Sequence, residues 1–228
     1  MVNMMRIIII IFFYFISVTG ISQEKFTGSY EPFIEVGYAV SKLYSQEFSV
    51  EGRFHWYDAE VYKFQAKQVD LAHFSSFKLN TNNELALGLK YRFEENFGGD
   101  DKNEIRLVEE YKYEIDTERN KLEHRIRAEQ RFSGSLTSHR FRYKFEASQL
   151  LGTEKRNTDN IYLIGNLETL VTISKIYKPS YEQRFTTGIG VPFTAFTEFE
   201  FGLQYRIDDF TQEVTHELFF ISGLKLDL

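Results

Sequence analysis

The sequence contains no cysteine, which excludes disulfides, thiolate metal sites and cysteine nucleophiles. Proline is scarce, at 3 residues, and there is a single Trp. There is no Gly-rich phosphate loop, heptad repeat, low-complexity tract or linker, so nothing divides the chain into two domains. Positive charge is not in excess: the formal net charge of -6 argues against a nucleic-acid partner. No two histidines stand at helical or strand spacing, so neither a metal site nor a cofactor is expected.

What is present points to strands. The 228 residues are 43% hydrophobic and 26% charged, too apolar for disorder and too charged for a helical membrane bundle. The 23 Phe and 14 Tyr, with so little proline, favour β-structure.

Residues 1–22 read as an address. Arg6 is the only charge, the apolar run Ile7–Val18 follows, and Gly20 and Ser22 suit a small-residue cleavage site. The run is shorter than the roughly 20 residues that span a bilayer. A secretory signal peptide cleaved after Ser22 is therefore expected, with residues 23–228 forming the mature domain. Its loss takes one of the 27 basic residues and leaves 26 against 33 acidic, a net of -7.

Beyond it, polarity alternates residue by residue. Leu85, Leu87, Leu89, Tyr91 and Phe93 interleave with Glu84, Ala86, Gly88, Lys90 and Arg92. Phe199, Phe201, Leu203, Tyr205 and Ile207 interleave with Glu200, Gly202, Gln204, Arg206 and Asp208. That is the strand period, not the helical one. Turn-formers separate the runs at Asn80–Asn83, Gly98–Asp101, Ser133–Ser135 and Asp208–Asp209, and Pro32, Pro179 and Pro192 are expected at or near strand ends.

A soluble sandwich and a membrane barrel both alternate. Three features favour the barrel. Several runs reach the roughly 9–11 residues of a membrane strand. One face is dense in charges of both signs, and the other is rich in Tyr and Phe. The terminal run Leu218, Phe220, Leu224, Leu226 and Leu228 fits a closing barrel strand, although such strands more often end on an aromatic residue.

Strands are expected at 31–40, 47–57, 83–95, 104–116, 122–132, 139–149, 160–173, 182–191, 196–207 and 214–228. In 60–80 the apolar phase flips from even (Tyr62, Phe64) to odd (Val69, Leu71, Phe77). One bulged strand there gives eleven in all and two short strands give twelve. Even numbers are usual for bacterial single-chain barrels, so an antiparallel up-and-down barrel of twelve strands is expected, with ten as the alternative. Counting back from a periplasmic C-terminus puts the loops 208–213, 174–181, 133–138 and 96–103 outside, and 150–159 is a long exception on the periplasmic side.

The face phase also assigns a lumen. It carries a basic stripe of Arg106, Arg125, Arg127, Arg131, Arg140, Arg142 and Lys144, and acids Glu110, Glu123, Glu129 and Glu146 set to pair with it. Two readings follow: a lumen filled by charges that pair across strands, or a narrow pore that favours anions. Titrating residues near neutrality are His55, His73, His124, His139 and His216, expected as rim, girdle or lumen side chains. His73 and Ser75 share one strand face, a spacing that permits an activated serine. The pair resembles the His-x-Ser motif of outer-membrane phospholipases and lipid A deacylases, but Ser76 stands where those continue with Asn. The acidic pairs Asp100–Asp101 and Asp208–Asp209 read as solvated turns.

The central third adds a family resemblance. His124-Arg-Ile-Arg-Ala-Glu-Gln-Arg-Phe132 followed by His139-Arg-Phe-Arg-Tyr-Lys-Phe145 resembles a bacterial outer-membrane β-barrel family known as domain of unknown function 2490. Gly88–Phe93, Asn166–Glu168 and Gln183–Phe185 support it in order. The resemblance implies a barrel in the outer membrane of a Gram-negative cell. It supplies no substrate and no catalytic residue. The expected function is a non-enzymatic barrel, either a structural component or a narrow porin-like channel. Its expected partners are outer-membrane lipid and, during biogenesis, the barrel-assembly machinery. A lipid hydrolase using His73 and Ser75, or surface interaction through the outer loops, stands as the alternative.

Overall fold

The computed structural model describes residues 26–58, 61–97, 102–151 and 160–228. The signal-peptide reading of 1–22, the Asp100–Asp101 turn and most of the 150–159 loop lie outside these residues. Eleven strands form one closed barrel. In chain order they are β1 (Phe26–Ala39), β2 (Tyr44–Asp58), β3 (Val61–Lys78), β4 (Asn83–Phe93), β5 (Glu104–Asp116), β6 (Asn120–Ser133), β7 (Leu136–Leu150), β8 (Tyr162–Ser174), β9 (Ser180–Thr194), β10 (Thr197–Asp208) and β11 (Thr215–Asp227). The only other element among the described residues is a short 3₁₀ turn, Glu95–Phe97. Each strand pairs antiparallel with its sequence neighbours, and β1 closes the ring against β11.

Eleven strands correct the expected twelve, and ten is equally excluded. The cause lies in 61–78, which is one strand. Opposite it, Arg53 pairs with Gln68 and Phe54 with Ala66, so Lys67 has no facing residue. One extra residue reverses every side chain beyond it. The phase flip in the sequence is therefore a bulge, not a turn.

An odd count fixes the closure. After eleven alternating strands the last runs the same way as the first, so β1 and β11 pair in parallel, from Phe26↔His216 to Gly37↔Asp227. One end of the barrel carries the start of β1, and the opposite end carries the end of β11. These are called here the N-end and the C-end.

β1 also begins earlier than the expected residue 31 and contains Pro32 within its span. Pro32 is tolerated there because the β2 ladder skips it: the pairs run from Tyr30↔Phe54 to Phe33↔Glu51. Pro179 precedes β9, and Pro192 sits beside the register shift at Thr197/Glu198.

Polarity is inverted relative to a soluble protein. Leu85, Leu87, Leu89, Phe141, Phe185, Phe201 and Leu203 stand on the outer wall and are exposed. Glu31, Asp70, Glu104, Arg106, Glu129, Glu168 and Arg206 face the interior and are buried. Among the buried apolar side chains of the described residues, only Leu150, Tyr162 and Ile164 form a cluster. The interior is held by charge rather than by a hydrocarbon core.

One glycine makes a large interior side chain possible. A Cβ on Gly88 would collide with the Phe74 ring, which enters the lumen from β3 directly opposite it. Gly88→Val should therefore destabilise the folded barrel by about 1–3 kcal/mol through overpacking. Urea unfolding in detergent micelles measures this, and adding Phe74→Ala should recover much of the loss.

Candidate functional site: the charged lumen

The lumen holds a cavity of about 630 Å³. Its lining includes fifteen Lys and Arg side chains and fourteen Asp and Glu, so it is close to neutral although the chain is acidic. All seven residues of the basic stripe line it, as do Glu110, Glu123, Glu129 and Glu146.

Register decides how these charges meet. Directly facing positions often carry like charge: Arg106↔Arg131 and Lys112↔Arg125 between β5 and β6, and Arg125↔Lys144 and Arg127↔Arg142 between β6 and β7. Acids repeat the pattern at Glu114↔Glu123 and Glu123↔Glu146. Like charges directly opposite destabilise a sheet. The relief comes largely from diagonal neighbours. Arg142 reaches Glu129 at 3.0 Å, Lys144 reaches Glu123 at 3.1 Å, and Arg131 reaches Glu104 at 2.9 Å. Arg106 bonds the same Glu104, so one carboxylate joins two facing cations.

Some pairs are direct or link three strands. Arg127 donates to Glu110, its facing residue, at 2.6 Å. Glu168 on β8 lies 3.4 Å from Arg142 on β7 and 3.3 Å from Arg184 on β9. Asp70, 1% exposed, accepts from Arg92 at 2.8 Å and holds Lys90 at 2.6 Å. Arg125 and Arg140 are the loosest members of the stripe, at 3.9 Å from Glu110 and 4.0 Å from Glu182.

The two ends differ. The four most deeply buried side chains are Phe219, Leu170, Asp70 and Ser29. Phe219, Leu170 and Ser29 lie near the N-end, where β1 and β11 begin and β8 ends. There Arg206 lies 3.6 Å over the Phe219 ring, Arg53 lies 5.0 Å from it, and Glu31 takes both guanidiniums at 3.0 and 2.9 Å. Towards the C-end, Lys112, Lys121 and Lys225 remain a quarter to a third exposed although each has a carboxylate partner. The lumen is thus lined by more deeply buried side chains near the N-end and by more exposed lysines towards the C-end.

His73 and Ser75 stand on the outer wall, since Ala72, Phe74 and Ser76 face the lumen. The two do not hydrogen-bond to one another. The Ser75 hydroxyl meets the Tyr44 hydroxyl at 3.2 Å, and His73 stacks on Phe48 with its Nε2 buried and unpartnered. Three other histidines have structural partners: His55 with Ser29, His124 with Tyr143 and His216 with Tyr205. One residue escaped the sequence reading. Glu109 falls in the apolar phase of β5 and points outward between Leu87 and Ala128. Its signal was legible, as a carboxylate in the register of Ile105, Leu107 and Tyr111.

A family model described as protein of unknown function (DUF2490) matches residues 34–217. The chain belongs to that family. No curated protein and no solved structure matches it. The barrel and its charged, paired interior come from the structure, and the family description brings no assigned activity to the lumen.

Buried and exposed pairs should differ sharply in weight. Asp70→Asn leaves Lys90 only Glu51 at 3.7 Å and Arg92 only Glu94 at 3.5 Å, and should cost about 3 kcal/mol. Glu95→Gln breaks an exposed pair with Lys102 and should stay within about 1 kcal/mol. Parallel urea titrations of the two variants measure the contrast.

Proposed function

We propose that this chain is a non-enzymatic outer-membrane β-barrel whose interior is a self-paired structural filling rather than an open conduit. One observation carries this reading. Every cation of the stripe, from Arg106 on β5 to Lys144 on β7, lies within 4.0 Å of a carboxylate. A carboxylate bound in this way neutralises the field that would draw anions through a pore. The packed cluster of Phe219, Arg206, Arg53 and Glu31 supports the same reading.

The location in a membrane is argued from the outer wall. Its exposed Leu, Ile and Phe form a continuous belt, far beyond what a monomer keeps in water. A closed sheet leaves no unpaired edge in hydrocarbon. Outer-membrane lipid is then the solvent of that wall, and the barrel-assembly machinery is the partner that inserts it.

Planar-bilayer recording of the refolded protein in asymmetric salt tests the role. The expected result is a folded, inserted barrel with no steady openings. Steady openings with an anion-selective reversal potential would overturn the closed reading and restore the stripe as a permeation path. Phospholipid vesicles test the enzyme alternative. No fatty-acid release that depends on Ser75 is expected, and release lost in Ser75→Ala would establish a hydrolase.

A further inference from the structure

We infer that the β3–β5 face of the outer wall is an interface for a second copy of this chain, locked by Glu109 of one copy against His73 of the other. The inference rests on the membrane reading above, because it is in hydrocarbon that the outward carboxylate requires a partner.

Glu109 lies at the middle of β5, its facing residues on the two neighbouring strands are Leu87 and Ala128, and it is exposed. It has no hydrogen bond or ion pair among the described residues. A polar group left unpaired in hydrocarbon is strongly unfavourable. The wall also has a hollow beside it. Ser75, Leu85, Leu87, Ile126 and Ala128 border a cavity of about 510 Å³ that Glu109 itself lines.

The complementary group is on the same face. His73 is held with one ring edge inward, its Nε2 buried and its face stacked on Phe48 at 4.5 Å. Only the Nδ1 edge is left to the outside. A carboxyl and an imidazole bond through one shared proton whichever of them carries it.

Height decides whether the two can meet. A row of facing residues runs Val36, Phe48, His73, Leu89, Leu107, Gln130, His139, Ile173. It begins near the C-end of β1 and finishes near the N-end of β8, so the row climbs as it passes round the barrel. For strands tilted about 40° the climb is roughly 3 Å per strand, against roughly 2.6 Å of height per residue along a strand. Two strands on from His73, the level position on β5 is about two residues towards the C-end from Leu107. That residue is Glu109.

His73 and Glu109 therefore flank β4 at one height. A two-fold axis along the membrane normal, passing beside β4, brings β3 of each copy opposite β5 of the other. It forms the His73–Glu109 contact twice, as an isologous interface demands. Among the described strand residues Glu109 is the carboxylate that points outward at mid-strand, and His73 is the imidazole at its height on this face.

The absence of native cysteine gives a clean test. Leu89, exposed on β4, would lie near the axis, and Phe201 on β10 lies on the far side of the barrel. In lipid vesicles at low protein-to-lipid ratio, Leu89→Cys should form disulfide dimers on mild oxidation and Phe201→Cys should not. Adding Glu109→Leu to Leu89→Cys should reduce the dimer at least fivefold, with the barrel still folded by heat-modifiable gel migration. An inserted, folded Leu89→Cys protein that stays monomeric, or crosslinks no more than Phe201→Cys, would overturn the interface while leaving the membrane reading intact. A folded protein that will not enter vesicles would overturn both.

Discussion

The lumen depends on diagonal ion pairing. The register sets cation against cation on three adjoining strands, an arrangement that repels if each residue interacts only with its facing neighbour. Offsetting these contacts by two residues places Glu104, Glu123 and Glu129 between the cations, and the repulsive rows become a lattice. The cost of burying charge is met only while the lattice is complete, because loss of Glu104 alone leaves Arg106 and Arg131 without their common acceptor. Stability and interior composition are therefore linked. The stripe is not a decoration of a finished barrel but the material that fills it.

Faces were legible in the sequence and register was not. A period of two states which side chains share a face, and each position of the stripe from Arg106 to Lys144 follows from it. Nothing in the period says which residue of β6 opposes which residue of β7. The like-charge rows were therefore invisible, and a lumen of directly facing opposite charges was the natural expectation. Strand number failed for a related reason. The flip between Phe64 and Val69 has the same appearance whether the chain turns or bulges, and only the unpaired Lys67 tells the two apart. The general preference for even strand numbers then favoured the wrong choice.

Glu109 shows the opposite case. Its position in the apolar phase of β5 was plain, but attention to the charged face passes over a single charge on the other one. In an inverted protein the informative exception is the outward polar residue, as a buried polar residue is in a soluble one. His73 and Ser75 drew notice as a catalytic spacing. Their geometry gives them separate roles: Ser75 bonds Tyr44, and His73 is packed against Phe48 with one edge free.

The parallel seam between β1 and β11 has a consequence for how such a barrel can change in size. Antiparallel barrels lengthen or shorten by whole hairpins, each adding two strands with its own turn. Inserting or deleting a hairpin here leaves the count odd and the seam parallel, so that closure persists through every change of this kind. Only the gain or loss of a single strand converts it. That step would move the end of the last strand to the opposite mouth of the barrel and replace the slanted hydrogen bonds of the seam with perpendicular ones. Members of the family built by hairpin duplication from this plan would inherit the odd count.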